Sequence, residues 1–151
     1  MLRIGKMADY ALLVTNCLVK KAGVQVNTDD IALATQLPGP TVRKILKQLV
    51  DGGVVVSHRG VHGGYRLARE ATQIAVADVL VAMEGPIAVT QCTHDVESCD
   101  LHHHCDLQGN WSYINHLVFT ILKNISIAEM AINLNNKSHN VHQLKMHLSL
   151  N

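Results

Sequence analysis

The 151-residue sequence predicts a mostly α-helical fold with one small β hairpin. Three observations carry that prediction. Apolar residues recur at helical spacing in successive segments, and aromatics are only 3% of a chain that is 48% hydrophobic, which points to an aliphatic, helix-rich core. A single β-branched run, Val54-Val55-Val56, meets a glycine-rich tip and an extended Tyr65-Arg66-Leu67. A heptad pattern then runs over the last third of the chain. Together they give a winged helix-turn-helix domain followed by a long dimerisation helix.

The first predicted helix covers 8–21. Leu12, Leu13, Cys17 and Leu18 fall at helical spacing, and Gly23 stops it. Cys17 on that apolar side reads as a small buried hydrophobe. Asn27 or Thr28 can cap the next helix, with Asp29 and Asp30 in the first turn, where the helix dipole favours anions. Its packing residues are Ile31, Ala32 and Ala34, and it ends before Pro38-Gly39. A third helix starts at Pro40 or Thr41 and ends at Gly52-Gly53, with Ile45, Leu46 and Leu49 as its stripe. Thr41 sits at its start, and Arg43, Lys44 and Lys47 fall largely on the opposite face. A short helix, a tight turn and a second helix with a basic face are the helix-turn-helix pattern, sized for a DNA major groove.

The hairpin that follows makes a wing. Its tip, SHRGVHGG, offers Arg59 to a minor groove or a phosphate, with His62 and Arg66 close in sequence. Residues 74–83, IAVADVLVAM, form an apolar helix expected to pack under this domain. Charge divides at the same place. Residues 1–69 carry a balance of +6 and residues 70–151 one of −5, so only the first half is suited to a polyanion.

The chemistry concentrates in residues 91–108, QCTHDVESCDLHHHCDLQ. Three of the four cysteines, Cys92, Cys99 and Cys105, lie there with four histidines and four carboxylates. Soft thiolates and imidazoles gathered in one polar segment read as a metal or cluster site. No signal-peptide h-region and no membrane span are visible, so a cytoplasmic setting with reduced thiols is expected. Zinc on the three cysteines and one of His102, His103 or His104 is chemically sound, and a cluster-free thiol sensor is a further alternative. The sequence contains no Gly-rich phosphate loop, nucleophile elbow or paired-carboxylate pattern, so an enzyme is not expected.

Beyond this segment Leu107, Trp111, Ile114, Val118, Ile121 and Ile125 step by four, three, four, three and four. That seam has period 3.5 and reads as a helix that packs lengthwise on a second copy, the alternative being its own winged domain. Ser126 and Glu129 make a capping box for a short helix to about Leu134. The expected organisation is a winged domain over 1–85, a cysteine-rich segment over 86–106, the dimerisation and capping helices over 107–134, and a flexible tail over 135–151.

Residues 1–134 as a whole resemble the iron–sulfur-sensing winged-helix transcriptional regulators of the IscR and NsrR kind. The carriers are the opening LRIGKMADYAL, the RGxxGGYxL wing at 59–67, and the Cys-x6-Cys-x5-Cys segment. The opening is most similar to regulators of the SUF cluster-assembly operon. The resemblance implies a homodimer on double-stranded operator DNA. It also implies a [2Fe-2S] or [4Fe-4S] cluster on Cys92, Cys99 and Cys105. In IscR-like members a histidine three residues after the last cysteine completes the site, and here that position is Gln108. In NsrR-like members an aspartate of the partner subunit does so, and the matching residue is Asp9. His102, His103 and His104 are the alternatives.

Overall fold

The computed structural model of the chain describes residues 4–60, 63–95, 97, 99–100 and 104–132. His62, His102, His103 and the tail expected over 135–151 lie outside the described residues. Three helices open the chain: α1 (Lys6–Lys20), α2 (Thr28–Thr35) and α3 (Gly39–Asp51). The antiparallel pair β1 (Val55–His58) and β2 (Gly64–Leu67) follows, in the register Val55 to Leu67 and His58 to Gly64. Then come a 3₁₀ turn at Ala71–Gln73, α4 (Val76–Glu84), α5 (Gln91–His94), α6 (Gln108–Lys123) and α7 (Ile127–Met130). This is the mostly α fold with a small β wing that the sequence predicts. Among the described residues, no helix is long and apolar enough to cross a membrane.

The core lies where α1, α3 and α4 meet. Val42, Ile45, Leu46 and Leu49 of α3 are buried there with Val76, Val79 and Leu80 of α4. Of the expected α1 stripe, Cys17 and Leu18 join the core and Leu12 packs against it, and only Leu13 is left out. Ala8, Ala11, Val14, Thr15 and Leu18 turn inward, whereas Leu13 is exposed. The small residues at 8 and 11 let neighbouring backbones come close, and a leucine stripe would hold them apart. Cys17 is buried as expected, and burial raises its thiol pKa, with Lys21 and Lys20 opposing. In α2 only Ile31 is fully buried. Ala34 is exposed, and Leu37 in the following turn packs on the core instead, because the left-handed Gln36 (φ 56°) turns the chain back inward.

Two bridges fasten the periphery. Val26 and Tyr65 exchange backbone hydrogen bonds at 2.9 Å each, an isolated antiparallel bridge that ties the stretch before α2 to the two-stranded wing. Ala75 pairs with Ser126, through Val76 N–H to the Ile125 carbonyl at 2.8 Å and Ile127 N–H to the Ile74 carbonyl at 2.9 Å. That second bridge corrects two expectations. Ile74 and Ala75 are extended rather than helical, because they pair with 125–127. Ile125 falls beyond the end of α6 and packs on the winged core, so it does not extend the heptad seam. The capping box is present, Ser126 accepting from Glu129 N–H at 3.2 Å and Glu129 taking the Ser126 N–H at 3.0 Å. The helix it starts ends at Met130 rather than near Leu134.

Candidate nucleic-acid interface and thiol segment

The basic face is built by α2, the turn and α3. Asn27 caps α2, its side chain accepting from Asp30 N–H at 2.8 Å and donating to the Asp30 carboxylate at 3.0 Å. Gln36 to Pro38 form the turn, α3 starts at Gly39 rather than at Pro40 or Thr41, and Pro40 stands in its first turn, where a helical N–H would have no partner anyway. Since Val42, Ile45, Leu46 and Leu49 take the inner face, the 100° step per residue sends Arg43, Lys44 and Lys47 outward. All three are exposed, and Thr41 is half-buried at the start of the helix. Gly53, at φ 68°, reverses the chain directly into β1, with Val54 N–H bonded to the Leu49 carbonyl at 2.9 Å. One tight turn therefore fixes the wing relative to α3. Arg59 at the wing tip and Arg66 on β2 are both exposed. Among the described residues the ion pairs all converge on Asp78, so none of these five basic residues has a carboxylate partner.

The thiol segment begins at α5, after α4. Cys92 is buried on the single turn of α5, which packs on α6. Thr90 sets that turn. Its N–H donates to Thr93 Oγ1 at 3.1 Å, Thr93 Oγ1 donates back to the Thr90 carbonyl at 2.8 Å, and Thr90 Oγ1 lies 3.2 Å from Cys92 Sγ. Cys99 and Cys105 are half-buried and His104 is exposed. Gln108 is the first residue of α6, its N–H reaching the Cys105 carbonyl at 3.4 Å. Asp9 is exposed in the first turn of α1. All four cysteines are thiols rather than disulfides. Among the described residues no three His, Cys, Asp or Glu side chains are gathered closely enough to hold a metal ion. In kind, three thiols on one segment fit a thiolate-bound group.

The seam on α6 divides along its length. Leu107, Trp111 and Ile114 are exposed, at 56%, 37% and 41%. Val118 and Ile121 are partly covered, and with Leu80, Ile87 and His94 they line a groove of about 570 Å³ between α4 and α6.

Two polar anchors of α6 were not legible in the sequence. Asn115 accepts from Val89 N–H at 3.0 Å and donates to the Ile87 carbonyl at 3.1 Å. Lys123 reaches Asp78 of α4 at 2.6 Å, and Arg69, just past β2, reaches the same carboxylate at 3.5 Å. Burial alone would raise the Asp78 pKa. The Lys123 hydrogen bond, the Ala75 N–H at 3.0 Å and the Arg69 charge outweigh it and hold the carboxyl below the ordinary aspartate range.

The family profile described as Rrf2, iron-dependent transcriptional regulator, matches residues 4–133. A Mycobacterium tuberculosis protein with the provisional name of HTH-type transcriptional regulator is 42% identical over 88 residues, 58% of this chain and 55% of that one. The HTH-type transcriptional regulator IscR of Yersinia pestis is 30% identical over 92 residues, 61% of this chain and 56% of that one. The chain thus spans just over half the length of the curated relatives it matches. Among solved structures, CymR, the global cysteine regulator of B. subtilis, superposes with a TM-score of 0.69 at 26% identity, covering 87% of this chain and 97% of that one. T. potens IscR superposes with a TM-score of 0.67 at 22% identity, covering 94% and 96%, a likeness of fold.

Proposed function

Since the chain belongs to the Rrf2 family of transcriptional regulators, we propose that it binds double-stranded operator DNA as a homodimer and reports iron–sulfur or redox status to transcription. One observation carries the DNA reading. Arg43, Lys44 and Lys47 on α3 and Arg59 and Arg66 on the wing are exposed, have no carboxylate partner among the described residues, and stand on elements joined by one turn. Thr41 begins the same face and His62 belongs to the wing tip by sequence. In a dimer, two such helices enter successive major grooves about 34 Å apart. The uncovered Leu107, Trp111 and Ile114 are the proposed contact between copies.

Cys92, Cys99 and Cys105 are the proposed ligands of an iron–sulfur cluster. Asp9 of a partner subunit is the proposed fourth ligand, with His102, His103 or His104 as alternatives. When bound, such a cluster supplies a redox-active, labile group whose loss or oxidation is a signal. The chain's own part is to hold three thiols beside α6, where a change in their arrangement can bias the relative position of two winged domains. The family description, iron-dependent, supports this reading. The opening residues support control of a SUF cluster-assembly operon. A cluster-free thiol sensor is the second reading, favoured by the 26% identity to CymR, the cysteine regulator.

Anaerobic purification with a visible spectrum and iron and sulfide analysis separates the readings, since an iron–sulfur protein is coloured and zinc or thiol-only protein is colourless. An Asp9→Ala variant with unchanged spectrum and cluster lifetime rules out the partner aspartate. For DNA, a labelled random-sequence duplex is titrated over a range of salt. Arg59→Ala should weaken binding and lower the log–log salt slope by about 1. Undiminished binding with an unchanged slope refutes the wing contact.

A further inference from the structure

We infer that Asn115 is a positioning residue for Cys92, clamping the arm that carries this thiol onto α6. The proposal rests on the reading of Cys92 as a ligand, but its test does not require a cluster. Residues 87–89 link the end of α4 to the turn that carries Cys92 and belong to no helix or strand. The Asn115 side chain holds that stretch at two points, taking the Val89 N–H at 3.0 Å and giving its own N–H to the Ile87 carbonyl at 3.1 Å. The two bonds bridge 26 and 28 residues of sequence. Both ends of the amide are used, so the fit is specific to an amide. An aspartate at 115 keeps only the acceptor, and a leucine of similar size keeps neither.

Val89 lies three residues before Cys92, and only the Thr90–Thr93 turn intervenes. That turn is rigid within itself but short, so its place along α6 is inherited from the clamp. The thiol is buried against α6 as a result, whereas Cys99 and Cys105 are half-buried. Asn115 flanks the apolar seam, beside Ile114 and one turn before Val118, and is partly covered rather than open to solvent. Its presence there is explained by the backbone groups of 87 and 89, which would otherwise lie beside an apolar helix without partners.

The test is site-resolved alkylation of the reduced, metal-free full-length chain by iodoacetamide, read by peptide mass spectrometry. Cys17, buried in the winged core, is the internal control for general loosening. Asn115→Leu should speed alkylation of Cys92 about tenfold, the equivalent of about 1.4 kcal/mol, and leave Cys17 unchanged. Asn115→Asp, which keeps one of the two bonds, should fall between wild type and Asn115→Leu. Exchange of the Val89 amide should accelerate in the leucine variant alone. An unchanged Cys92 rate overturns the proposal. So does a parallel rise at Cys17, which would make Asn115 a residue of general stability only. After iron and sulfide reconstitution, a colourless wild type refutes the cluster reading and leaves the alkylation result to decide the clamp.

Discussion

The Asp78→Asn substitution isolates the charge that ties α6 to the winged domain. Asparagine keeps the shape and can still accept the Ala75 N–H that starts α4. What it loses is the negative charge facing Lys123 at 2.6 Å and Arg69 at 3.5 Å. Both cations are about half exposed, at 51% and 48%, so solvent screens each pair and neither approaches the value of a buried bridge. Exposed pairs contribute roughly 0.2–1 kcal/mol each, which sets the expected loss near about 1 kcal/mol at neutral pH. In a chain of this size that lowers Tm by about 2–4 °C. The pH dependence follows from the direction of the shift. The folded carboxyl titrates below its unfolded value of about 3.9, so the stabilisation is complete above that value and fades as pH falls through the folded one. Urea unfolding followed by circular dichroism should therefore show wild type and variant diverging at neutral pH and converging in acid. Raising salt from about 0.1 M to about 1 M, which shortens the screening length from about 10 Å to about 3 Å, should also shrink the gap. A difference that survives full protonation, or ignores salt, refutes the charge argument and leaves only a packing effect.

Two further substitutions probe the wing and the seam. A Cβ on Gly64 would lie 2.8 Å from the Val26 carbonyl oxygen and 2.9 Å from its carbon, both backbone atoms that cannot swing aside. Gly64→Ala should cost about 1–3 kcal/mol and open the Val26–Tyr65 bridge, seen as faster amide exchange at both residues; unchanged protection there would refute it. Ile114→Glu replaces an exposed seam residue, so the isolated fold should change by less than about 0.5 kcal/mol while sedimentation velocity shifts from dimer to monomer. A wild type that sediments as a monomer at micromolar concentration overturns the seam as an interface.

What the sequence made legible follows from how local each signal was. The α3 stripe was readable because Ile45, Leu46 and Leu49 repeat at helical spacing and their burial, which Val42 shares, obliges Arg43, Lys44 and Lys47 to face out. The wing was readable because its β-branched run and glycine tip lie within one short stretch. Misread positions depended on partners far along the chain. Ile125 continues the heptad in sequence, yet a backbone bridge to residues 74–76 removes it from α6. Ala34 satisfies helical spacing, yet the left-handed Gln36 gives the core to Leu37. The thiol segment was legible as a set of donors, but not in its arrangement, since spacing alone does not say that Cys92 is buried on α6. The anchors Asn115 and Asp78 left no local trace, because each works through groups on another element.

These anchors decide how α6 can respond to the segment it carries. Asn115 holds the Cys92 arm near the middle of the helix, and two turns later Lys123 holds α4 through Asp78. Immediately beyond, residues 125–127 are stitched to 74–76 and Ile127 is buried in the winged core. The far end of α6 is thus fixed to the winged domain by backbone bonds and burial, while its near end shows Leu107, Trp111 and Ile114 to solvent. A helix held at one end turns a small displacement at the other into a rotation about the held end. Two routes are then open to a rearrangement of the thiols. It can break the Asn115 bonds and leave α6 where it is, or keep them and swing the exposed half of α6. Under the proposed function the second route carries the signal, because only it moves the face that meets a second copy while the winged domain stays intact.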